Sequence, residues 1–463
     1  MRKSEALRIL SRLGAPEQRR LREYCRNLAT DKDPKHFDDD MRSMLRDIVK
    51  PKQQEWLEDT MNYLASVGFT QSRYEYKQIE EQLERFSLKH KPYTGWHDHF
   101  QDVKKDLINQ VSSWKLKALD IKGNDDVQEL IPRDDAHAGF DYILTGKRYK
   151  GDYRDGLLQY YFDGIGKAKA EGSFNRPMII GTRTQASMPF DDEGNRDADN
   201  FKTKTRAVIM LALIQVMGES IFAKPVQQKM SLVDWYAGGK NDRELKFIIN
   251  RKMRRAKYWL TVDYSKYDQS IPGWLIYECF DVIEAMFDKS YGFDEQLWKL
   301  VKQDFVHKVF IDGKGNLIEA HDGVPSGSMF TQIIDTIVNV MMIRTYFASR
   351  GVNDNHFTMI IMGDDNLIYT TEYLDKHDLG GYLDRNFGVR INVEKTTQGK
   401  AIEPPEFLSR VWTPRGVYRK PEVLVAKLLY PEHFRKYSKG NQRKLKQQVS
   451  MIISCFIHDF PLG

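Results

Sequence analysis

Three aspartates in short β-forming contexts carry the chemistry this sequence suggests. Tyr258 to Val262 is a run of β-prone residues that closes on Asp263. Phe357 to Met362 and Leu367 to Thr370 are two more, joined through Gly363-Asp364-Asp365-Asn366, so Asp364 and Asp365 stand at the tip of a hairpin. If these strands are neighbours, carboxylates converge at one sheet end. Clustered carboxylates repel one another, and divalent cations relieve the repulsion; hard oxygen ligands suit magnesium or manganese. Two such ions can hold both the attacking and the leaving oxygen of a phosphoryl transfer. Solvated turns are the plainer account of a lone Gly-Asp-Asp, since Asp is a favoured turn residue.

A second polar set lies nearby in sequence. Asp268 follows Asp263 by five positions, near the start of a helix, where an acid also complements the helix dipole. After Ser326-Gly327 comes a helix expected from Met329 to about Tyr346, on which Thr331, Asp335 and Asn339 recur every four residues. Apolar residues occupy much of the rest of that helix. A polar stripe buried without partners is costly, so it should face a wet cavity or else the outer solvent.

These residues need elements to position them. The order of helical and β-prone segments argues for an α+β architecture, an antiparallel sheet backed by helices. Residues 1 to about 120 read as helices, with Tyr76, Ile79, Leu83 and Phe86 on one face. Residues 131–156 look like loop, and so do 189–201. Pro272 should open a helix at its first position. Val309 to Ala320 reads as a hairpin around Asp312-Gly313-Lys314-Gly315, and the chain turns helical again after Pro421. The 463 residues suggest several lobes, and 41% hydrophobic with 29% charged residues excludes a collagenous or wholly disordered chain. Cys25, Cys279 and Cys455 form no paired pattern, which points to a reducing compartment. No signal-peptide pattern or membrane-spanning segment is read from the sequence. The net charge of +6 is only mildly basic, but Arg251 to Arg255 and Arg435 to Lys446 concentrate cations that could follow RNA phosphates or simply solvate an outer face.

Taken together, the segments resemble the ordered motifs of viral RNA-dependent RNA polymerases. Asp263 to Asp268 (DYSKYD) matches motif A, Ser326 to Asn339 resembles motif B, and Met362 to Asn366 resembles motif C. Val393 to Thr396 looks like the end of motif D, and Phe407 to Arg410 like motif E. Gly181 to Thr184 and Lys202 to Val208 look like the basic motif F, whereas Asp135 to Phe140 is only loosely similar to motif G. The stretch GVPSGSMFTQIIDTIVN is most similar to double-stranded RNA viruses, picobirnaviruses first and partitiviruses next.

The resemblance implies a right-hand polymerase. Residues 1–221 would form the fingers and an N-terminal helical region, 222–405 the palm with a fingers insertion near 290–322, and 406–463 a small helical thumb. It implies that Asp263, Asp364 and Asp365 hold two Mg2+ ions, with Mn2+ able to substitute, and that Lys395 is the general acid. Asp268, Ser326, Thr331, Asp335 and Asn339 would sense the ribose; whether Asp335 or Asn339 completes that network is left open, because related motifs carry Asn where this chain has Asp335. Arg183, Lys204 and Arg206 would bind the triphosphate, and Gly327, Arg410, Lys436 and Arg443 template or product RNA. Template RNA, product RNA and nucleoside triphosphates would be the partners, with a viral capsid protein, in the virion interior and host cytoplasm. A reverse transcriptase is disfavoured, since those enzymes carry a bulky aromatic where Asp268 stands. A non-catalytic RNA-binding protein explains the basic clusters but not the ordered acids.

Overall fold

The computed structural model describes residues 1–33, 38–49, 51, 54–70, 73–88, 98–187, 189–190, 196–200, 202–290, 292–353, 355–414 and 416–430. The chain divides into two units. The first comprises 1–29, 80–181 and 208–403; the second comprises 30–79, 182–207 and 404–463.

The strands are β1 (Met178–Ala186), β2 (Thr203–Met210), β3 (Tyr258–Thr261), β4 (Lys308–Ile311), β5 (Leu317–Ala320), β6 (Phe357–Met362), β7 (Asp365–Thr370), β8 (Thr397–Lys400), β9 (Glu406–Phe407), β10 (Arg410–Trp412) and β11 (Val417–Tyr418). In the first unit β6, β7, β3 and β8 form, in that order, an antiparallel sheet. Its register sets Leu260 opposite Ile368 and Met362 opposite Asp365. Val262, Ile361, Leu367 and Ile368 are buried, and the helices Gly273–Glu284 and Thr331–Ser349 belong to the same core. Such β-branched and leucine runs pack where a sheet is covered, which is why the strands carry little polar alternation.

The hairpin expected at Asp312 is β4–β5. The Asp312 carboxylate accepts from the backbone N–H groups of Lys314 (2.8 Å) and Asn316 (2.7 Å), and Gly315 takes φ +81°. β4 also pairs in parallel with β1, setting Phe310 opposite Met178.

Two expectations change. Pro272 is the N-cap of its helix, in extended conformation, rather than the first helical residue. Gly273 fills that place, its N–H donating to the Asp322 carboxylate at 2.6 Å. Residues 131–156 are not all loop, because Phe140–Thr145 is helical between Gly139 and Gly146, both at positive φ. A Cβ at Gly139 would stand 2.1 Å from the Leu211 carbonyl oxygen. Asp141 in that helix is buried against Arg176 (2.8 Å) and Tyr160 (2.6 Å), so its loop-like composition conceals a paired core acid.

In the second unit, the helices Asp39–Ile48, Gln54–Ser66 and Pro421–Leu429 bury Leu45, Leu57, Leu64 and Leu429 together. β9, β10 and β11 form a small antiparallel sheet. The turn between β9 and β10 places both Leu408 and Ser409 at φ +55°, a conformation that costs non-glycine residues on the order of 1 kcal/mol or more each.

Candidate active site

The β6–β7 turn has only Gly363 and Asp364 between its strands, with Gly363 at φ +67° as such tight turns demand. Its backbone is fastened at every step. Gly363 N–H donates to the Thr336 hydroxyl at 2.9 Å, and Asn339 Nδ2 donates to the carbonyls of Gly363 (3.0 Å) and Asp364 (3.4 Å). Asn339 Oδ1 in turn accepts from the Tyr264 hydroxyl at 2.8 Å. Asn366 joins the turn to β3: its Oδ1 accepts from Val262 N–H at 2.9 Å, and its Nδ2 donates to the carbonyls of Val262 (3.1 Å) and Asp364 (3.2 Å). Asp263 is held on its other side, its N–H donating to Thr396 Oγ1 (3.2 Å) and its carbonyl accepting from Asn392 N–H (2.7 Å). Asp263, Asp364 and Asp365 are themselves exposed. Fixed backbone beneath exposed carboxylates is the arrangement a metal-binding or phosphate-handling site needs.

The polar stripe of the Thr331–Ser349 helix points inward. Asp335 is 5% exposed, its Oδ1 has no hydrogen-bond partner among the described residues, and burial, with the charges of Asp268 and Asp364, pushes its carboxyl well above the usual carboxylate range. Its backbone carbonyl accepts from the Tyr267 hydroxyl at 2.9 Å, and Tyr267 packs on Tyr264 with ring centroids 4.6 Å apart. Asn339 is fully buried and both ends of its amide are engaged. The expected wet stripe is thus interior at Asp335 and Asn339, while Thr331, half-buried, bonds to the carbonyls of Pro325 (2.7 Å) and Ser328 (2.9 Å). Asp268 is half-buried, and its carbonyl accepts from Val324 N–H at 2.7 Å, tying the segment after Asp263 to the loop before the helix.

That loop rests on a buried acid which the sequence reading missed. Glu219, inside the mostly apolar helix Leu213–Met230, accepts from the Ser328 hydroxyl and Met329 N–H, both at 2.8 Å. Burial pushes its carboxyl up to about 8, against the pull of those two bonds. Ser326 Oγ accepts from Ile209 N–H at 2.9 Å, and a Cβ at Gly327 would stand 2.2 Å from the Ile209 carbonyl oxygen, which fixes glycine there. A charged residue in an otherwise apolar run was the available signal for Glu219.

The structure thus brings Asp263, Asp268, Asp335, Asn339, Asp364 and Asp365 onto or beside one end of one sheet. Lys395 is exposed on the 392–396 turn that holds Asp263, its N–H donating to Asn392 Oδ1 at 3.4 Å. Arg183, Lys204 and Arg206 are exposed in the second unit. Burial and the charges of Arg419 and Arg183 depress the Lys427 ammonium in that unit, with Glu406 acting the other way. Arg410, half-buried, pairs with Phe407 across the strained turn. Lys436 and Arg443 lie outside the described residues.

Among the described residues no three His, Cys, Asp or Glu side chains converge as a ready-made metal cluster. The donor set at the sheet end is nevertheless all carboxylate oxygen, which fits hard divalent cations and not zinc or copper.

Residues 50–454 match a family model described as viral RNA-dependent RNA polymerase. The chain is 25% identical over 225 residues to the RNA1 polyprotein of broad bean wilt virus 1, covering 45% of this chain and 12% of the polyprotein. It is 29% identical over 175 residues to the RNA-directed RNA polymerase of Cryptosporidium parvum virus 1, covering 35% and 31%. A third relative, the RNA-directed RNA polymerase of Atkinsonella hypoxylon virus, is 33% identical over 125 residues, covering 24% and 18%. The matches span under a third of the length of each of these relatives. Among solved structures, the RNA-dependent RNA polymerase of a human picobirnavirus superposes with TM-score 0.64 at 13% identity, over 93% of this chain and 83% of that one, a likeness of fold.

Proposed function

Because the chain belongs to the viral RNA-dependent RNA polymerase family, we propose that it copies an RNA template, joining ribonucleoside triphosphates with release of pyrophosphate to replicate and transcribe a viral genome. The observation that supports this most is the bridge made by Asn366, which ties the strand end bearing Asp263 to the turn bearing Asp364. The family works with divalent metal ions. In this reading Asp263 and Asp364, with Asp365, hold two Mg2+ ions, or Mn2+ in their place, which would offset charge on the reacting phosphates and align the attacking hydroxyl.

The remaining roles belong to the chain's own groups. Asp268, half-buried, accepts a hydrogen bond from the 2′-hydroxyl of the incoming nucleotide, with Ser326 and Thr331 shaping the loop beside it. Asp335, whose carboxyl burial and the charges of Asp268 and Asp364 push upward, supports Asp268, while Asn339, its amide consumed within the fold, positions the turn. Arg183, Lys204 and Arg206 neutralise the triphosphate, and Lys395 donates a proton to the departing pyrophosphate. Gly327, Arg410, Lys436 and Arg443 contact RNA backbone. Residues 1–221, 222–405 (with an insertion near 290–322) and 406–463 act as fingers, palm and thumb. A capsid protein is the proposed viral partner, in the virion interior and host cytoplasm; no helix among the described residues is long and apolar enough to cross a membrane.

The test is incorporation by purified protein on single- and double-stranded RNA, with ribo- and deoxyribonucleotides compared and with the divalent ion removed by chelation and restored. Metal-dependent, template-dependent ribonucleotide incorporation is expected. RNA binding without any incorporation under these conditions would overturn the reading in favour of a non-catalytic RNA-binding protein.

A further inference from the structure

The helix Asp242–Met253 and the segment leading into β3 hold a concentration of charge that the proposed chemistry does not use. Residues 242–257 contain seven lysines and arginines against Asp242 and Glu244, a net +5 in a chain whose total is +6. The helix buries Leu245, Ile248 and Ile249. Its opposite side carries Arg243, Phe247 and Arg251 at intervals of four, followed by Arg254, all within a sector of about 80°. Phe247 is 68% exposed, and the Arg251 guanidinium stands 5.9 Å from its ring centroid. Arg251 also pairs with Asp234, whereas Arg243, Arg254, Arg255 and Lys257 are exposed. Lys252 is not part of this face: it is turned inward, bonds Thr358 Oγ1 at 2.5 Å, and burial lowers its ammonium to about 8.

The sheet fixes where the face lies. Thr358 is the second residue of β6, Lys257 N–H donates to the Thr370 carbonyl at the end of β7, and Tyr258 begins β3. These are the strand ends remote from Asp263 and Asp364. Five residues lie between Lys257 and Asp263, a span of roughly 20 Å in extended chain. Tyr373, also 68% exposed, packs on Tyr258 at the same end with ring centroids 5.6 Å apart. Exposed acids near this face include Asp234, Asp242, Glu244, Glu372 and Glu403.

We propose that the Arg243–Phe247–Arg251–Arg254 face is a second RNA-binding surface, which holds single-stranded RNA at the end of the sheet opposite the catalytic carboxylates. Guanidinium groups follow phosphates without reading sequence, and an exposed ring between them gives bases a face on which to stack. An anionic membrane is the less favoured partner, because a helix lying in a bilayer surface presents several large apolar residues outward and this one presents only Phe247.

The experiment measures binding of a fluorescent single-stranded oligoribonucleotide of about 20 nucleotides to the full chain across a salt series, together with stoichiometry. Its companion is single-nucleotide extension of a short self-priming RNA hairpin. Changing Arg243→Glu, Arg254→Glu and Arg255→Glu together should weaken oligonucleotide binding roughly tenfold or more. It should also reduce the slope of log affinity against log salt by about 2, with one fewer RNA bound per chain. Hairpin extension should stay unchanged, which separates failure of this surface from failure of the polymerase reading. Phe247→Ala, which removes no charge, should weaken binding severalfold with an unchanged salt slope, and it serves as the test should the triple variant unfold. Equal affinity, slope and stoichiometry in folded variants would overturn the proposal. So would loss of binding to phosphatidylserine vesicles with RNA binding intact.

Discussion

The two ends of the β6–β7–β3–β8 sheet carry opposite charge and hold it by different means. At one end Asp263 and Asp364 stand on backbone whose N–H and carbonyl groups are bonded to Thr336, Asn339, Asn366, Thr396 and Asn392. At the other, Arg254, Arg255 and Lys257 are exposed on a helix end and the segment that follows it, and long basic side chains have many rotamers to lose when held. Two-metal chemistry depends on the placement of carboxylate oxygens to a fraction of an ångström, whereas counterion release depends on charge density alone. The acidic end should therefore fail steeply under small changes, and the basic end should yield by increments, charge by charge.

The steepest failure is expected for Asp364→Asn, which keeps the shape of the turn and removes one charge. Incorporation should fall on the order of a thousandfold or more, while RNA binding and melting temperature stay close to those of the parent chain. Turnover within tenfold of the parent would remove Asp364 from the catalytic set.

Asn366→Ala tests the fastening without touching a charge. The side chain is 2% exposed and makes three hydrogen bonds, so its loss strands the Val262 carbonyl and N–H and leaves the Asp364 carbonyl only the 3.4 Å bond from Asn339. We expect a cost of about 2 kcal/mol in stability and a fall in turnover of roughly a hundredfold, through displacement of Asp263 relative to Asp364. If stability drops and single-turnover rates do not, the bridge is structural only and the contrast between the two sheet ends loses its basis.

The strands of the acidic end were legible because β-prone runs of aromatic and aliphatic residues end on Asp263 and flank a Gly-Asp-Asp turn. The hairpin at Asp312 was legible for a similar reason, its turn residues being chemically explicit. The fastening was not. Asn339 and Asn366 look like ordinary polar residues in sequence, and only the register of β3 on β7 turns Asn366 toward Val262. Periodicity placed Thr331, Asp335 and Asn339 on one helical face, but it cannot tell a wet face from one covered by Tyr264 and Tyr267. Residues 131–156 misled through composition, because glycines that bound a helix resemble glycines that make a loop. The division into two units was equally hidden, since both units are assembled from non-consecutive segments.

A smaller effect is expected at Asp268, where discrimination rather than chemistry is at stake. A site that accepts a hydrogen bond from a 2′-hydroxyl rejects a sugar lacking it. Asp268→Ala should narrow the preference for ribo- over deoxyribonucleotides about thirtyfold, or ~2 kcal/mol. Asp335→Ala should narrow it less, acting through Asp268. Asn339→Ala should lower incorporation of both sugars alike, because its amide bonds the turn and Tyr264. Ribose preference unchanged in all three would leave Asp268 a helix-start charge and nothing more.

The smallest effect on activity should come from Glu219→Gln, and pH reads it out. An acid whose pKa rises from 4.5 in the ordinary state to about 8 in the fold keeps a proton that the unfolded chain has released. Its stabilising contribution is complete below about 4.5 and is lost as pH climbs toward 8. Lys150 has the opposite slope, since burial lowers its ammonium to about 8; its contribution changes between there and 10.5, so the comparison belongs below pH 8. Glutamine cannot titrate, yet its carbonyl can still accept from Ser328 and Met329. Between about pH 5 and 8 the parent chain should lose a few degrees of melting temperature relative to the Gln variant. Activity near pH 7 should stay within about twofold of the parent, because Glu219 is already protonated there and holds the loop as a neutral group would. Parallel melting curves across that range would mean Glu219 is ionised in the fold, and that the loop before the Thr331–Ser349 helix rests on a buried charge.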